Sequence, residues 1–310
     1  IRKSNLPVKA LSAIVWYSPT IFFGPLVKAL KNSANCPTYL ILRDIFPEWT
    51  LDLGILRKGP IYYFFKFVAG YQYSVADVIG VQTESNLKYL EKWAIEPNKK
   101  LEVLNNWLSL AAIKKTSISF TNTSLKGRKI FVYIGNMGIA QGMDVLIDLA
   151  DSLRKRQDIG FLFVGRGTEV ERLKVSVTSK KLDNVLFHNE IESKEIPGLL
   201  AMCHVGLIAL DPRHKSHNIP GKFLTYMQAG LPVLAKINPD TDLGNLIVEK
   251  GVGSVYVGDE VNDFKKMAEN LVDDKSKLQA MSERGMVLNQ KLFSSSRAAN
   301  QILTSISDLI

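Results

Sequence analysis

Short apolar runs alternate along the chain with longer stretches in which apolar residues return every three or four positions. Runs of the first kind stand at 13–17 (AIVWY), 38–42 (TYLIL), 78–82 (VIGVQ) and 101–104 (LEVL), then at 130–134 (IFVYI), 160–164 (GFLFV), 184–188 (NVLFH), 205–209 (VGLIA) and 232–235 (PVLA). β-Branched and aromatic residues in such runs suit strands buried on both faces of a parallel sheet. The second kind predicts helices at 22–30, from the Thr83-Glu84-Ser85 start, and at about 141–156, 168–181, 193–202, 220–229, 242–249, 261–290 and 296–308. Strand, helix, strand, repeated, implies parallel sheets. Between the two sets lies Lys114–Arg128, KKTSISFTNTSLKGR, rich enough in Ser, Thr and Asn to read as an interdomain linker or an edge segment. The fold class expected is therefore α/β, with two Rossmann-like doubly wound domains at 1–115 and 125–290. A last helix within 291–310 is expected to pack back on the first domain.

One aromatic stretch stands apart. Ile61–Tyr73, IYYFFKFVAGYQY, reads either as a helix packed under the first sheet or as a segment lying in a membrane interface, with Lys58 and Lys66 beside anionic headgroups.

The chain has 310 residues, 46% of them hydrophobic, enough for two domains of about 150 residues each. No apolar run reaches the roughly 18–20 residues that span a bilayer, and Ile1-Arg2-Lys3-Ser4 opens onto no sustained apolar stretch of a signal peptide. The first residue is Ile, so a fragment of a longer protein is an open reading. Cys36 and Cys203 fit no metal or redox spacing, which points to a reducing, cytoplasmic setting. A net charge of +9 suits an anionic partner: nucleotide, anionic lipid or nucleic acid. No basic helix with interleaved aromatics occurs, so nucleic acid is not expected as a partner.

Candidate chemistry gathers where strands end. After Ile130–Ile134 come Gly135, Asn136 and Gly138, with Gln141 and Gly142 at the start of the next helical pattern. A strand that turns through glycines into a helix offers backbone N–H groups at a positive dipole end, a seat for a diphosphate. The same glycines also serve a plain βα turn, and the spacing is not G-x-G-x-x-G. Arg166 stands in the next glycine turn, His188 ends a strand where a base would stack, and Arg213 and Lys215 lie in the polar loop DPRHKSHN. Lys222 falls in the first turn of the helix that Pro220 opens, where a lysine and free amides together would hold a diphosphate. In the first third, Arg43, Asp44 and Glu48 follow a strand's carboxyl end, the edge at which open α/β sheets bind ligands. They either face that edge as a guanidinium and carboxylates or pair with each other and cap the next turn. The cysteines and histidines stand at no metal-ligand spacing, and no bound metal and no cofactor is expected.

The second half resembles the large retaining nucleotide-sugar glycosyltransferases, group 1 or family 4, in the order YIGNMGIAQGMDVLI, FLFVGRGTEVERL, VLFHNEI, VGLIALDP, IPGKFLTYMQAGLPVLA and VEKGVGSVYVGD. The first third is similar too, in LILRDIFPEWTLDLGIL, VIGVQTESNLKYL and LEVLNNW, and within the family the WbuB-like surface-polysaccharide subgroup is the nearest in look. The resemblance implies a GT-B fold whose N-terminal domain lacks its first strands. It also implies metal-independent transfer of a sugar, a HexNAc or deoxy-HexNAc, from a UDP-sugar to a lipid-linked or saccharide acceptor, at the inner face of the plasma membrane. In it Asp44, Glu48 and Arg43 stand on the catalytic, acceptor side, and Gly135, Asn136, Gly138, Gln141, Arg166, His188, Lys222 and Thr225 at the donor. Three departures matter. Asn136 and Gln141 stand where the family has Arg and Lys, His217 and Thr225 replace its E-x7-E pair, and Arg43 replaces a histidine. Diphosphate charge must then fall on backbone amides and Lys222, helped by Arg166 or Arg213. Two rival readings remain: a non-hydrolysing UDP-sugar epimerase of the same fold, and a degenerate binding protein.

Overall fold

The computed structural model describes residues 7–52, 54–109, 114–211 and 218–310. Among them the chain divides into two compact units. One holds the residues through Trp107 together with Asn218, Ile219 and Ser295–Ile310; the other holds the rest.

In the first unit β1 (Ile14–Tyr17), α1 (Gly24–Ala34), β2 (Thr38–Leu42), α2 (Glu48–Asp52), α3 (Pro60–Val75), β3 (Val78–Val81), α4 (Glu84–Leu87), α5 (Glu91–Ala94) and β4 (Lys100–Val103) follow in turn. The strands form one parallel sheet in the order β1-β2-β3-β4. Their alternation sorts side chains to two faces. Trp16, Leu40, Leu42, Ile79 and Val81 cluster with Val27 of α1, Val75 of α3 and Trp93 of α5. Tyr39, Ile41 and Val78 turn the other way, with Leu104. The helix expected at 22–30 starts at Gly24-Pro25 and runs on until Asn35 takes a left-handed conformation (φ 48°) that ends it. The aromatic stretch 61–73 is a helix that covers the sheet with only one face, through Tyr62, Ala69, Gln72 and Val75.

The second unit runs β5 (Lys129–Ile134), α6 (Asp144–Ser152), β6 (Ile159–Val164), α7 (Val170–Ser179), β7 (Val185–His188), α8 (Ile196–Leu200), β8 (Val205–Ala209), α9 (Gly221–Gln228), β9 (Val233–Lys236), α10 (Asp242–Lys250), β10 (Gly253–Tyr256), α11 (Val261–Asp273) and α12 (Lys275–Leu292). Its six strands are parallel in the order β10-β9-β8-β5-β6-β7. The order reverses between β5 and β8, so the crevice beyond their carboxyl ends is where an open α/β sheet takes its ligand. The strand β10 escaped the sequence pattern because Gly253-Ser254 blurs its apolar run. The single helix expected over 261–290 is two. Asp274 leaves the helical region (φ −98°, ψ 92°), and its carboxylate caps the second helix by accepting from the Lys277 N–H. The polar segment 114–128 lies along this unit: Ser117 N–H donates to Glu195 at 2.6 Å, and Ile118 and Leu125 are buried.

The last helix, α13 (Ser295–Ser307), completes the first unit. Ala298 and Ile306 fill the cluster of Tyr39, Ile41 and Val78. Glu102 ties the edge, accepting from Tyr39 Oη at 2.7 Å and from Ser305 Oγ at 2.8 Å.

Candidate functional site

The site builds on the carboxyl end of β5. Its loop and that of β6 interlock: Gly135 N–H donates to the Val164 carbonyl at 2.9 Å, and Met137 N–H to the Arg166 carbonyl at 2.7 Å. Only glycine permits this. Gly165 (φ +150°) and Gly167 (φ +151°) lie so close to the Gly135 and Met137 carbonyls that any Cβ would overlap them.

The expected seat of backbone amides is narrower than the glycine pattern suggested. No helix follows the glycines directly. A 3-10 turn at Ile139–Gln141 intervenes, and Gly142 closes it with φ +56°. Gly138 N–H donates to Gln141 Oε1 at 2.9 Å, and Asn136 Nδ2 reaches the same oxygen at 3.1 Å. Gly135, Met137 and Gly138 are thus engaged already, and of the four amides that of Asn136 alone has no acceptor among the described residues. Gln141 stands as a neutral lid over the turn where the resemblance places a cation.

Lys222 supplies the charge. It sits in the first turn of α9, and its ammonium lies 3.4 Å above the centre of the buried Tyr133 ring. A Cβ on Gly135 would stand 4.0 Å from that nitrogen, so the glycine turn and the lysine adjoin. Part of Lys222 keeps contact with solvent, but its tip is dry, and burial pulls its pKa down to about 7. The start of α9 has no side-chain cap, and a side chain at Gly221 would meet nothing within 4 Å. Phe223 N–H donates to the Pro220 carbonyl at 2.9 Å, which leaves the Gly221 and Lys222 amides without an acceptor among the described residues, beside the lysine's own amine, an arrangement that suits an anion.

Tyr226, one turn further along α9, holds this arrangement. It is fully buried; its Oη accepts from Ile134 N–H at 3.1 Å and lies within 3.1 Å of the Val132 and 3.3 Å of the Leu207 carbonyl. β5 and β8 pair only at Phe131–Val205 and Val132–Gly206, so the hydroxyl joins them where their ladder runs out. Gly206 leaves room for the ring. The sequence signal for this tyrosine was its place four residues after Lys222, on the same helix face.

Beside the β5 and β6 loops lies a cavity of about 320 Å³ with an apolar floor of Ile134, Val164, Ile191 and Ile196 and a polar rim of Asn136, Arg166, Glu190 and Ser193. Arg166 is largely exposed and pairs with Glu190 at 3.3 Å. His188 is exposed next to this rim, with Nδ1 2.8 Å from the Asn189 carbonyl. Thr225 Oγ1 donates back to the Gly221 carbonyl at 3.1 Å and carries no charge. Gly135, Asn136, Gly138, Gln141, Arg166, Lys222 and Thr225 are thus gathered on β5, β6 and α9, while Arg213, Lys215 and His217 lie outside the described residues.

The three residues of the first unit are placed differently from one another. Arg43 is 4% exposed; its Nη1 donates to the Leu104 carbonyl at 3.0 Å and its guanidinium stacks 4.4 Å from the Trp107 ring. Burial lowers its pKa to about 10. It is committed to the unit's own interior. Asp44 Oδ1 accepts from Asn218 Nδ2 at 3.1 Å, and burial raises its pKa. Asn218 also accepts from Asn86 Nδ2 at 3.2 Å, a polar relay the sequence did not announce. Glu48 pairs with Lys66 at 3.2 Å.

This geometry meets the comparisons with known proteins. The family "Glycosyl transferases group 1" matches residues 114–286, more than half of the chain. The chain belongs to that family. Among curated proteins, WbjE of Pseudomonas aeruginosa, named as a glycosyltransferase, is 28% identical over 232 residues, covering 72% of this chain and 57% of its own length. WcaI of Escherichia coli K12, named for colanic acid biosynthesis, is 24% identical over 243 residues, covering 75% and 59%. The chain thus spans less than two thirds of either relative. Two solved structures share the fold: sucrose-phosphate synthase of Thermosynechococcus elongatus (TM-score 0.72, 16% identity, 96% of this chain and 73% of that one) and Anabaena HepE in complex with UDP and glucose (0.70, 17%, 95% and 78%). This group 1 glycosyltransferase chain has the GT-B fold, with a four-stranded and a six-stranded parallel sheet.

Proposed function

We propose that the protein transfers a sugar from a UDP-sugar to a lipid-linked or saccharide acceptor in cell-surface polysaccharide synthesis, as a metal-independent, retaining member of the WbuB-like subgroup. The observation that carries the reading is the dry ammonium of Lys222 against the Gly135 turn and the uncapped start of α9. When the glycosidic bond breaks, negative charge grows on the leaving diphosphate, and a lysine ammonium beside the first amides of a helix stabilises it most where water is scarce. The neighbouring cavity, with its apolar floor and polar rim, suits the base and ribose. The relative named for colanic acid and the UDP complex of HepE support polysaccharide chemistry and a uridine donor. A HexNAc or deoxy-HexNAc is the sugar proposed, with Asp44 or Glu48 positioning the acceptor.

A melting-temperature screen with UDP, GDP and ADP sugars tests the donor, followed by mass spectrometry of transfer to undecaprenyl-diphosphate-linked sugars. The expected result is stabilisation by UDP and its HexNAc conjugates only, with one HexNAc added to the acceptor. Stabilisation by no nucleotide overturns the reading. Stabilisation by UDP without transfer selects the degenerate binding protein, which the engaged loop amides and the neutral Thr225 favour. Conversion of UDP-GlcNAc with no acceptor present selects the epimerase.

A further inference from the structure

The helix α3 has a face that nothing described covers. Tyr63, Phe64 and Phe67 are 59%, 56% and 74% exposed, and Ile61 beside them is 63% exposed. With Ile55 in the preceding turn, they put large apolar side chains into water at one end of one helix, where a soluble surface rarely collects them. The opposite face is anchored: Tyr62, Ala69, Gln72 and Val75 are buried, and Gln72 Nε2 donates to the Thr20 carbonyl at 3.1 Å. The neighbouring α1 repeats the feature. Its Gly24 abuts the Tyr71 ring, and Phe22, Phe23 and Leu26 are exposed.

Charge says what the face meets. Residues 18–37 and 53–75 contain Lys28, Lys31, Arg57, Lys58 and Lys66 and no Asp or Glu. Lys31 is neutralised by Asp77 at 2.6 Å and Lys66 by Glu48 at 3.2 Å, while Lys28, Arg57 and Lys58 have no carboxylate partner among the described residues. Lys28, Arg57 and Lys58 are exposed around the aromatic end. Aromatic rings beside unneutralised cations, on a helix fixed by its other face, match the boundary between acyl chains and anionic headgroups. A protein partner of acidic character would satisfy the cations but leave the rings without a matching surface.

We propose that α3, with the turn before it, docks the first unit onto an anionic lipid bilayer: Ile61, Tyr63, Phe64 and Phe67 enter the headgroup–acyl boundary while Arg57 and Lys58 contact lipid phosphates. The surface belongs to the first unit and the proposed donor site to the second, so the two are tested apart.

The test is co-flotation with vesicles of phosphatidylcholine alone or with 30% phosphatidylglycerol, comparing the unaltered chain, Phe64→Ser/Phe67→Ser and Arg57→Glu/Lys58→Glu. Melting temperature with and without UDP reports whether each variant folds and keeps its donor site. The unaltered chain is expected to float with anionic vesicles and not with neutral ones. The aromatic double variant is expected to lose about tenfold or more in partitioning. The charge-reversed variant is expected to float only weakly, and raised salt is expected to release the unaltered chain. Equal flotation of either folded variant, or no preference for anionic vesicles, overturns the proposal. So does a dimer in light scattering that Phe64→Ser/Phe67→Ser dissociates, since the occupant is then a second copy of the chain.

Discussion

Lys222 meets two demands that pull in opposite directions. Its surroundings favour the neutral amine, with a pKa of about 7 in place of the ordinary 10.5, yet a diphosphate wants the ammonium. Anion binding therefore takes up a proton once the pH exceeds about 7. UDP affinity is expected to fall about tenfold per pH unit between 7.5 and 9.5, and calorimetry in buffers of different ionisation enthalpy should register the uptake. The ligand-free protein shows the converse sign. A lowered lysine pKa means that the unfolded chain binds more protons between pH 7 and 10.5, so this group's contribution to stability rises through that window. Lys222→Met should flatten the rise in melting temperature, by comparison with the unaltered chain. Lys222→Ala should leave the fold intact and lower turnover about 10²–10³-fold, the usual effect of removing a donor to a developing oxyanion, measured as UDP released per minute. Near-normal turnover in that variant would remove the lysine from the diphosphate's surroundings.

At the scale of elements, α9 is set by one hydroxyl. Tyr226→Phe keeps the ring beside Gly206 but leaves Ile134 N–H without its acceptor between β5 and β8. A loss of about 1–3 kcal/mol in urea unfolding is expected, since a buried donor without a partner is destabilising on that scale. Asp274→Ala, at the break between α11 and α12, should lower the melting temperature, because it removes the carboxylate that caps α12. These two positions also mark how far the sequence could be read. The strands at 38–42, 130–134 and 205–209 were legible to within a residue, because full burial writes a continuous apolar run. The break at Asp274 was hidden, since the apolar period of α11 resumes in α12 and an aspartate is unremarkable in a helical pattern. The glycines around 135 announced a loop but not which of its amides would be engaged. That depended on Gln141 folding back and on the β6 loop interlocking, contacts made across the sheet and not along the chain. Lys222 was visible as a first-turn lysine, whereas the Tyr133 ring beneath it was not. Arg43 looked like a ligand-facing group because it follows a strand. Its burial against Trp107 brings together residues far apart in the chain.

At the scale of the molecule, the six-stranded unit is contiguous except for the short piece at 218–219, while the four-stranded unit needs a helix from the far end of the chain. Removing residues 295–310 should bare Tyr39, Ile41 and Val78 while sparing the core around Phe131 and Phe161. Limited proteolysis is expected to cut first within residues 7–107 and to leave a resistant fragment covering about 114–294. Simultaneous loss of both regions would show that they unfold as one. During synthesis the ordering matters further. The strands of the four-stranded sheet leave the ribosome before any strand of the six-stranded one, yet their second face stays bare until α13 has been made. A nascent chain in that state shows greasy surface while the whole six-stranded unit is synthesised, which makes it a natural client for ribosome-associated chaperones.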